Sequence, residues 1–444
     1  MTANPVTKSG EMNAANAILD PVRVAAGEVF DRNGLPSGKE EHWRFTQIRP
    51  ILRSRFIPAE PEYANDLFDQ YSFGKDSTVE IVLVNGVMSR ELSRLTDLPE
   101  GLCVTTLAKA SQNKHADTVR THLGKLVDLD RHPFAAMNTR DFGDGVYVEI
   151  HPGAVIESPI HILQITLGND NQSVVNSPRV LVIAGENSEA TIVESYVGQG
   201  SRYLCNAVTE ISAAANAKID HCKLQQESHA SYHIANMQVK LDQSAQFVSH
   251  AVSIGGRISR NDLEVLLAGR GAYATLNGLV LISDVQHCDN HTLLNHAAPD
   301  CPSHELYKHV LDGKSTAVFK GQIFVNQIAQ KTNAKQSSKS LLLTDTASIN
   351  SMPALEIYAD DVKCTHGSTT GPIDEDLVFY LRSRGVGLDA ARHLLTYAFA
   401  ADVTRRIKVE PVRRRVEDYM AAQHELPQDI RINDLGAFDE DVIR

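Results

Sequence analysis

The sequence predicts a mainly β chain, with a β-solenoid in the middle and helical regions on either side. Three observations predict it. Short β-branched runs recur from about residue 145 to 370, with no helix-length 3.6-residue pattern among them. Small residues close the corners between them at Ala190, Ala217, Ala245 and Ala272, spaced by 27, 28 and 27, a repeat of the size that stacking coils produce. Outside this zone apolar residues return to helical spacing.

The N-terminal region, residues 1–144, reads as mixed and largely helical. Residues 14–30 carry an Ala/Val/Ile-rich helical pattern that stops at Asn33-Gly34, a C-terminal helix signal. Residues 36–50 form a loop around His42-Trp43-Arg44-Phe45, which holds the chain's one tryptophan. Residues 77–88 alternate like a strand, and 104–127 look helical. The first ten residues lack the apolar core of a signal peptide.

The core, residues 145–371, contains strand-like runs at 146–150, 160–166, 179–184, 191–197, 203–211, 218–224, 233–241, 247–254, 262–267 and 273–282. Two strands and two corners fill one coil. Around eight to nine such coils at ~4.8 Å would make a rod about 40 Å long. Lys314-Ser-Thr316 and Asp345-Thr-Ala347 read as later corners after an irregular insert. A β-sandwich would show tight hairpin turns, and Asn277-Gly278 alone fits that signal. The solenoid is therefore preferred.

The C-terminal region, residues 372–444, turns helical. Pro372 suits a first helical position, and Asp374, Glu375 and Asp376 suit the positive end of the helix dipole. Leu377, Val378, Tyr380 and Leu381 give an apolar face that ends at Gly385. A second helix, 388–408, carries a stripe of Leu388, Ala391, Leu394, Leu395, Ala398, Phe399 and Val403, which either packs on its own domain or docks a partner.

Composition narrows the functions. The 444 residues are 42% hydrophobic and carry a net charge of −12, which argues against nucleic acid as the main partner. No run approaches the roughly 20 apolar residues of a membrane span. Six cysteines, at 103, 205, 222, 288, 301 and 364, are too sparse for a disulfide framework and read as a reducing, cytoplasmic protein. No phosphate loop, dinucleotide fingerprint or Gly-x-Ser-x-Gly is present, so no nucleotide is expected on this chain. A carbohydrate-active β-helix enzyme is the competing class. It would need clustered carboxylates, and the adjacent Asp360 and Asp361 point oppositely on a strand.

The stretch 354–385 passes from a strand through Cys364-x-His366 to a glycine turn and a charged helix. Residues two apart share a strand face, which groups Asp360, Val362, Cys364 and His366. A thiol, an imidazole and a carboxylate there could hold iron, zinc or a sulfur species; the alternative is an edge strand whose cysteine merely packs. A second group, His287, Cys288, Asp289, His291, His296, Cys301, His304 and His309, is dense in metal-capable residues. Its spacing matches no zinc-finger pattern, and its polar groups could be satisfied within a strand and corner.

Several segments carry a family resemblance: Asp289-Asn-His-Thr292, Lys314 through Gly321-Gln-Ile-Phe-Val325, Leu341-Leu-Leu343, Leu355-Glu-Ile-Tyr-Ala-Asp-Asp-Val-Lys-Cys-Thr-His-Gly367, Phe379-Tyr-Leu-Arg-Ser-Arg-Gly385 and Leu35-Pro-Ser-Gly-Lys-Glu-Glu-His-Trp-Arg-Phe-Thr46. Together they resemble the SufB/SufD family of iron–sulfur cluster assembly proteins, on its SufD side. Residues 51–140 carry little of this likeness, and Phe45 stands where the family usually has Tyr.

The resemblance implies a right-handed parallel β-helix and a non-enzymatic role in cluster assembly, with iron acquisition as part of it. It implies a heterodimer with a SufB-like homologue, an ABC-type SufC-like ATPase bound by the C-terminal helices, and an indirect link to a cysteine desulfurase. Phe379, Tyr380, Arg382, Arg384, Leu394 and Phe399 would carry that docking. The family's interface histidine falls on His366 and its neighbouring cysteine on Cys364, with Asp360 as a further candidate ligand. The cargo would be a transient iron–sulfur cluster, or iron, shared with the partner. SufB-type chains carry a sulfur-accepting cysteine near the place where this chain has Ser338, so a SufB-like scaffold acting alone is the lesser reading. A homodimer through the strand edge at 340–370 is expected of the isolated chain.

Overall fold

A computed structural model describes residues 16–423 apart from 39, 61–63, 77–78, 169–171 and 201. The first ten residues, Ala14, Lys39 and Ser77, named above, lie outside the described residues. Two sheets of parallel strands run the length of the solenoid. The first holds β4 (Leu102–Thr106), β5 (Val146–Ile150), β8 (Arg179–Ala184), β10 (Tyr203–Ala213), β12 (Tyr232–Leu241), β14 (Ile258–Leu267), β16 (His287–His296) and β18 (Thr316–Val325). β20 (Ser348–Ser351) and β21 (Ala354–Ile357) then pair with the two halves of β18. The second sheet holds β3 (Val87–Met88), β2 (Val79–Val84), β6 (Val155–Leu167), β9 (Glu189–Gln199), β11 (Lys218–Gln226), β13 (Gln246–Ser253), β15 (Tyr273–Ile282), β17 (Pro302–Leu311), β19 (Asn333–Leu342) and β22 (Lys363–Gly371). β1 (Phe56–Pro58) and β7 (Ser173–Asn176) form a short parallel pair beside β10.

The register gives the coil length directly. Glu189 pairs with Lys218, a step of 29, and Lys218 with Gln246, a step of 28. Near the end Pro302 pairs with Asn333, a step of 31. Longer late coils leave about seven turns rather than eight to nine. The first corner also moves. Ala190 stacks on Ile219, not Ala217. One hydrogen bond repeats at each corner, from Lys218 N–H to Ser188 O, Gln246 N–H to Ala217 O and Tyr273 N–H to Ala245 O. The buried Ser188 therefore fills the small-residue position in that coil.

One face of each strand lines a shared interior, built from Ile192, Ile219, Val239, Phe247, Leu276 and Phe319 among others. Both sheets take strands from before residue 145. β4 runs antiparallel to β5, and β3 antiparallel to β2, so the first edges of the solenoid end on reversed strands. The helical reading of 104–127 is corrected accordingly: its start belongs to β4, and only α4 (Leu107–Ala110) and α5 (Ala116–His122) follow. Asn277-Gly278 is no turn; it lies within β15. A Cβ on Gly278 would come within 2.2 Å of the Tyr307 ring stacked beside it, so glycine is needed for close approach.

The outer faces are covered. Trp43, Ile48, Ile51 and Phe134 pack on Leu204, Tyr232, Ile234 and Ile258 of the first sheet. Tyr397, Ala400, Val403 and Val416 pack on Cys222, Leu224, Val252 and Leu279 of the second. These last helical residues come from α8 (Leu388–Thr404) and α9 (Glu410–Gln423), which follow α7 (Glu375–Ser383); α1 (Asn16–Asn33), α2 (Arg49–Arg53), α3 (Asn65–Tyr71) and α6 (Pro133–Asp141) complete the N-terminal helices. Pro372 precedes α7 rather than starting it, because the Asp374 side chain accepts from Asp376 N–H and caps the helix there. The buried stripe of α8 is also rotated from the sequence reading. Ala391, Thr396, Tyr397, Ala400, Ala401, Val403 and Thr404 are buried, whereas Leu394, Leu395, Ala398 and Phe399 flank the contact and Leu388 is exposed. Small residues let the helix lie close to the sheet.

Candidate functional site

Among the described residues the solenoid ends on β22, which pairs with β19 alone and leaves its other edge unpaired. Cys364 stacks on Ala334 and His366 on Gln336. The strand's even-numbered residues continue columns that earlier coils bury. Cys364 packs with Val362 on the interior core, and burial pushes its thiol upward from the ordinary cysteine value. His366 is exposed because no coil follows to cover it. Glu305 and Gln336 lie below His366 in the same column, and an open cleft beside β22 is bordered on the α8 side by Lys335, Asp402 and Arg406. Gln336 Nε2 donates to Glu305 at 2.6 Å. Burial nevertheless pushes the Glu305 carboxyl up to about 7, against hydrogen bonds from Thr292 and Gln336.

Cys364 and His366 thus share a face of a regular strand. Asp360 does not: it sits in the bend between β21 and β22, before the strand begins at Lys363, so two-residue alternation does not carry back to it. Among the described residues, one set of three or more metal-capable side chains has all its ligand atoms within 4.8 Å of one another, and it is Cys205, Glu227 and His233. It lies inside the solenoid, several coils from β22, and none of its three residues is among the candidate ligands named from the sequence.

The dense group from His287 to His309 is split between two sheets, on β16 and β17. Its first half clamps the N-terminal segment instead of converging on a metal. Arg260 reaches Asp262 and Asp289, each at 2.8 Å, and donates to the His42 carbonyl at 2.7 Å. Its guanidinium lies 3.9 Å from the centre of the Trp43 ring. Thr46 Oγ1 donates to Asp289, and His291 Nε2 lies 2.9 Å from the other Asp289 oxygen. Burial alone would raise the Asp289 carboxyl, but His291 and Arg260 hold it well below the usual carboxylate range. In the second half, His296 meets Ser303 Oγ at 3.0 Å, and Cys301 donates to Gly269 O.

At the C-terminal end, Phe379 is 73% and Tyr380 50% exposed. Arg384 stacks on the Tyr380 ring at 3.6 Å, and Arg382 and Arg384 are both exposed. Leu394 and Phe399 differ. Both are half-buried, and Phe399 is held to the solenoid by Lys308, which donates to its carbonyl at 2.9 Å. The exposed group therefore sits on α7 and its end, while α8 serves the internal packing. Among the described residues no helix is long and apolar enough to cross a membrane.

Comparison with known proteins gives matches along the chain. Residues 166–399 match a family described as "SUF system FeS cluster assembly, SufBD core domain", and residues 9–162 match its "SufBD protein N-terminal region". The Escherichia coli iron–sulfur cluster assembly protein SufD is 31% identical over 387 residues, covering 87% of this chain and 88% of that one. An iron–sulfur cluster assembly SufBD family protein of Synechocystis is 29% identical over 419 residues, 92% of each. The Arabidopsis thaliana chloroplastic protein ABCI7 is 29% identical, over 90% of this chain and 85% of that one.

Proposed function

Because the chain belongs to the SufBD family of iron–sulfur cluster assembly proteins, we propose that it works as a SufD-like subunit whose cluster site is completed by a second chain. The observation that carries this reading is the unpaired β22, which bears a half-buried thiol and an exposed imidazole two residues apart. Two ligands cannot hold a cluster, and a full set of four cysteines on one chain would retain it too firmly for transfer. An unpaired strand edge also seeks another strand. A SufB-like homologue adding its own last coil across this edge would supply both the missing ligands and the missing strand.

In the same reading a SufC-like ATPase docks on α7 through Phe379, Tyr380, Arg382 and Arg384, with Leu394 and Phe399 behind it as support. ATP hydrolysis there moves the two chains and opens the shared edge, while this chain binds no nucleotide and catalyses no reaction itself. Iron acquisition is assigned to the same edge, where the Glu305 carboxyl stands in the column below His366, and Asp360 is left outside the ligand set. The work takes place in the cytoplasm, which six cysteines without a disulfide suit.

Anaerobic reconstitution of the complete complex tests the assignment. His366→Ala should leave folding and complex formation intact and lower cluster yield by about tenfold or more, the scale of losses at metal-site groups. Cys364→Ala should act in the same direction. Normal yield from both variants would overturn the site.

A further inference from the structure

We propose that Cys205, Glu227 and His233 form a second site, buried inside the solenoid, for a divalent first-row transition metal such as Zn²⁺ or Fe²⁺. Two come from neighbouring strands and the third from the residue after a strand of the other sheet. Cys205 on β10 and His233 on β12 are direct partners in the parallel ladder, so their side chains stack on the interior face. Glu227 follows the end of β11 in the opposite sheet and reaches across to them. All three are buried, and one ligand atom from each lies within 4.8 Å of the other two.

The pairing within the group is incomplete. His233 Nδ1 lies 2.7 Å from Glu227 Oε2, but that contact is poorly directed, and Nδ1 has no hydrogen-bond partner among the described residues. Glu227 Oε1 has none either. A buried carboxylate with an unmet oxygen beside an unmet ring nitrogen is costly, and a cation between them answers both. Surrounding groups fix the ligands. Lys223 Nζ meets His233 Nε2 at 2.9 Å, and Gln225 Nε2 donates to Glu227 Oε2 at 3.1 Å, the outer-shell support that metal ligands commonly have.

The donor set selects the metal class. Sulfur, imidazole nitrogen and one carboxylate suit zinc or ferrous iron, whereas calcium and magnesium prefer all-oxygen cages. Three protein ligands leave a fourth tetrahedral position for water. Burial admits an ion and excludes an organic substrate, which separates the group from a thiol-hydrolase triad. On coordination the Cys205 thiol loses its proton. With Nδ1 on the metal, the ring proton sits on Nε2, on the side of Lys223. The site stands apart from Cys364 and His366, so either assignment can fail alone.

Co²⁺ titration of the full-length chain, stripped of metal under anaerobic conditions, is the test. One equivalent should bind with a thiolate-to-cobalt absorption band, in the wild type and equally in Cys364→Ala and His366→Ala. Glu227→Gln keeps the shape of the side chain and should weaken Co²⁺ binding by about tenfold or more, and Cys205→Ser should remove the band. Absence of the band in the wild type would overturn the site without reference to any variant. Unaltered affinity in a folded Glu227→Gln chain would do the same.

Discussion

Arg260 shows how a single residue can absorb features that look functional in the sequence. It joins Trp43, the His42 carbonyl, Asp262 and Asp289, so the one tryptophan and part of the histidine-rich segment become a clamp on the first sheet. Removing one member of a buried ion group strands the others, at about 3–5 kcal/mol. Arg260→Leu should therefore lose stability on that scale in urea unfolding. Asp262 and Asp289 are both held below the ordinary carboxylate range despite burial, by Arg260 and His291. Their contribution is complete above the unfolded value of about 3.9 and fades as pH falls through the folded values. Urea midpoints measured downward from pH 5 should fall, and Asp289→Asn should make that fall shallower. The residue contacts were partly legible. Cys205 and His233 are 28 apart, one coil, and Arg260 and Asp289 are 29 apart; stepping metal-capable and charged residues by the coil length places them side by side. The approach of Trp43 and Thr46 was not legible, because no repeat relates the N-terminal segment to β14 and β16.

At the scale of elements, the strands were readable wherever small corner residues and β-branched runs coincide, and β5, β8 and β15 match the predicted bounds. The helical stripe of α8 was harder, since Leu394, Leu395 and Phe399 look like the core face but small residues make the closest approach to the sheet. Gly278 carries a similar constraint. Gly278→Ala should cost about 1–3 kcal/mol through overpacking against Tyr307, and Tyr307→Leu in the same chain should recover part of it; thermal unfolding of the single and double variants checks this. For α7 the prediction is the opposite kind. Phe379→Ala with Tyr380→Ala should change stability by no more than about 0.5 kcal/mol, as exposed positions do. Binding to the SufC-like ATPase should weaken by at least about tenfold in a pulldown or calorimetric titration, as expected if these aromatics anchor the contact.

For the whole molecule, the two ends of the solenoid are unlike. Reversed strands β3 and β4 finish the first edges, whereas β20, β21 and β22 finish the last coil with their outer edges unpaired among the described residues. On the proposed function, that asymmetry makes Cys364-x-His366 half of a site on an interface rather than a weak metal motif. On the same proposal the other half lies on a SufB-like chain. Mercury bound to the assembled complex, located by anomalous diffraction, tests it most directly. The expected peak lies at the start of β22, within bonding distance of Cys364 Sγ and of a side chain of the partner subunit. A peak coordinated at Cys364 by this chain alone, with the partner's chain elsewhere, would contradict it.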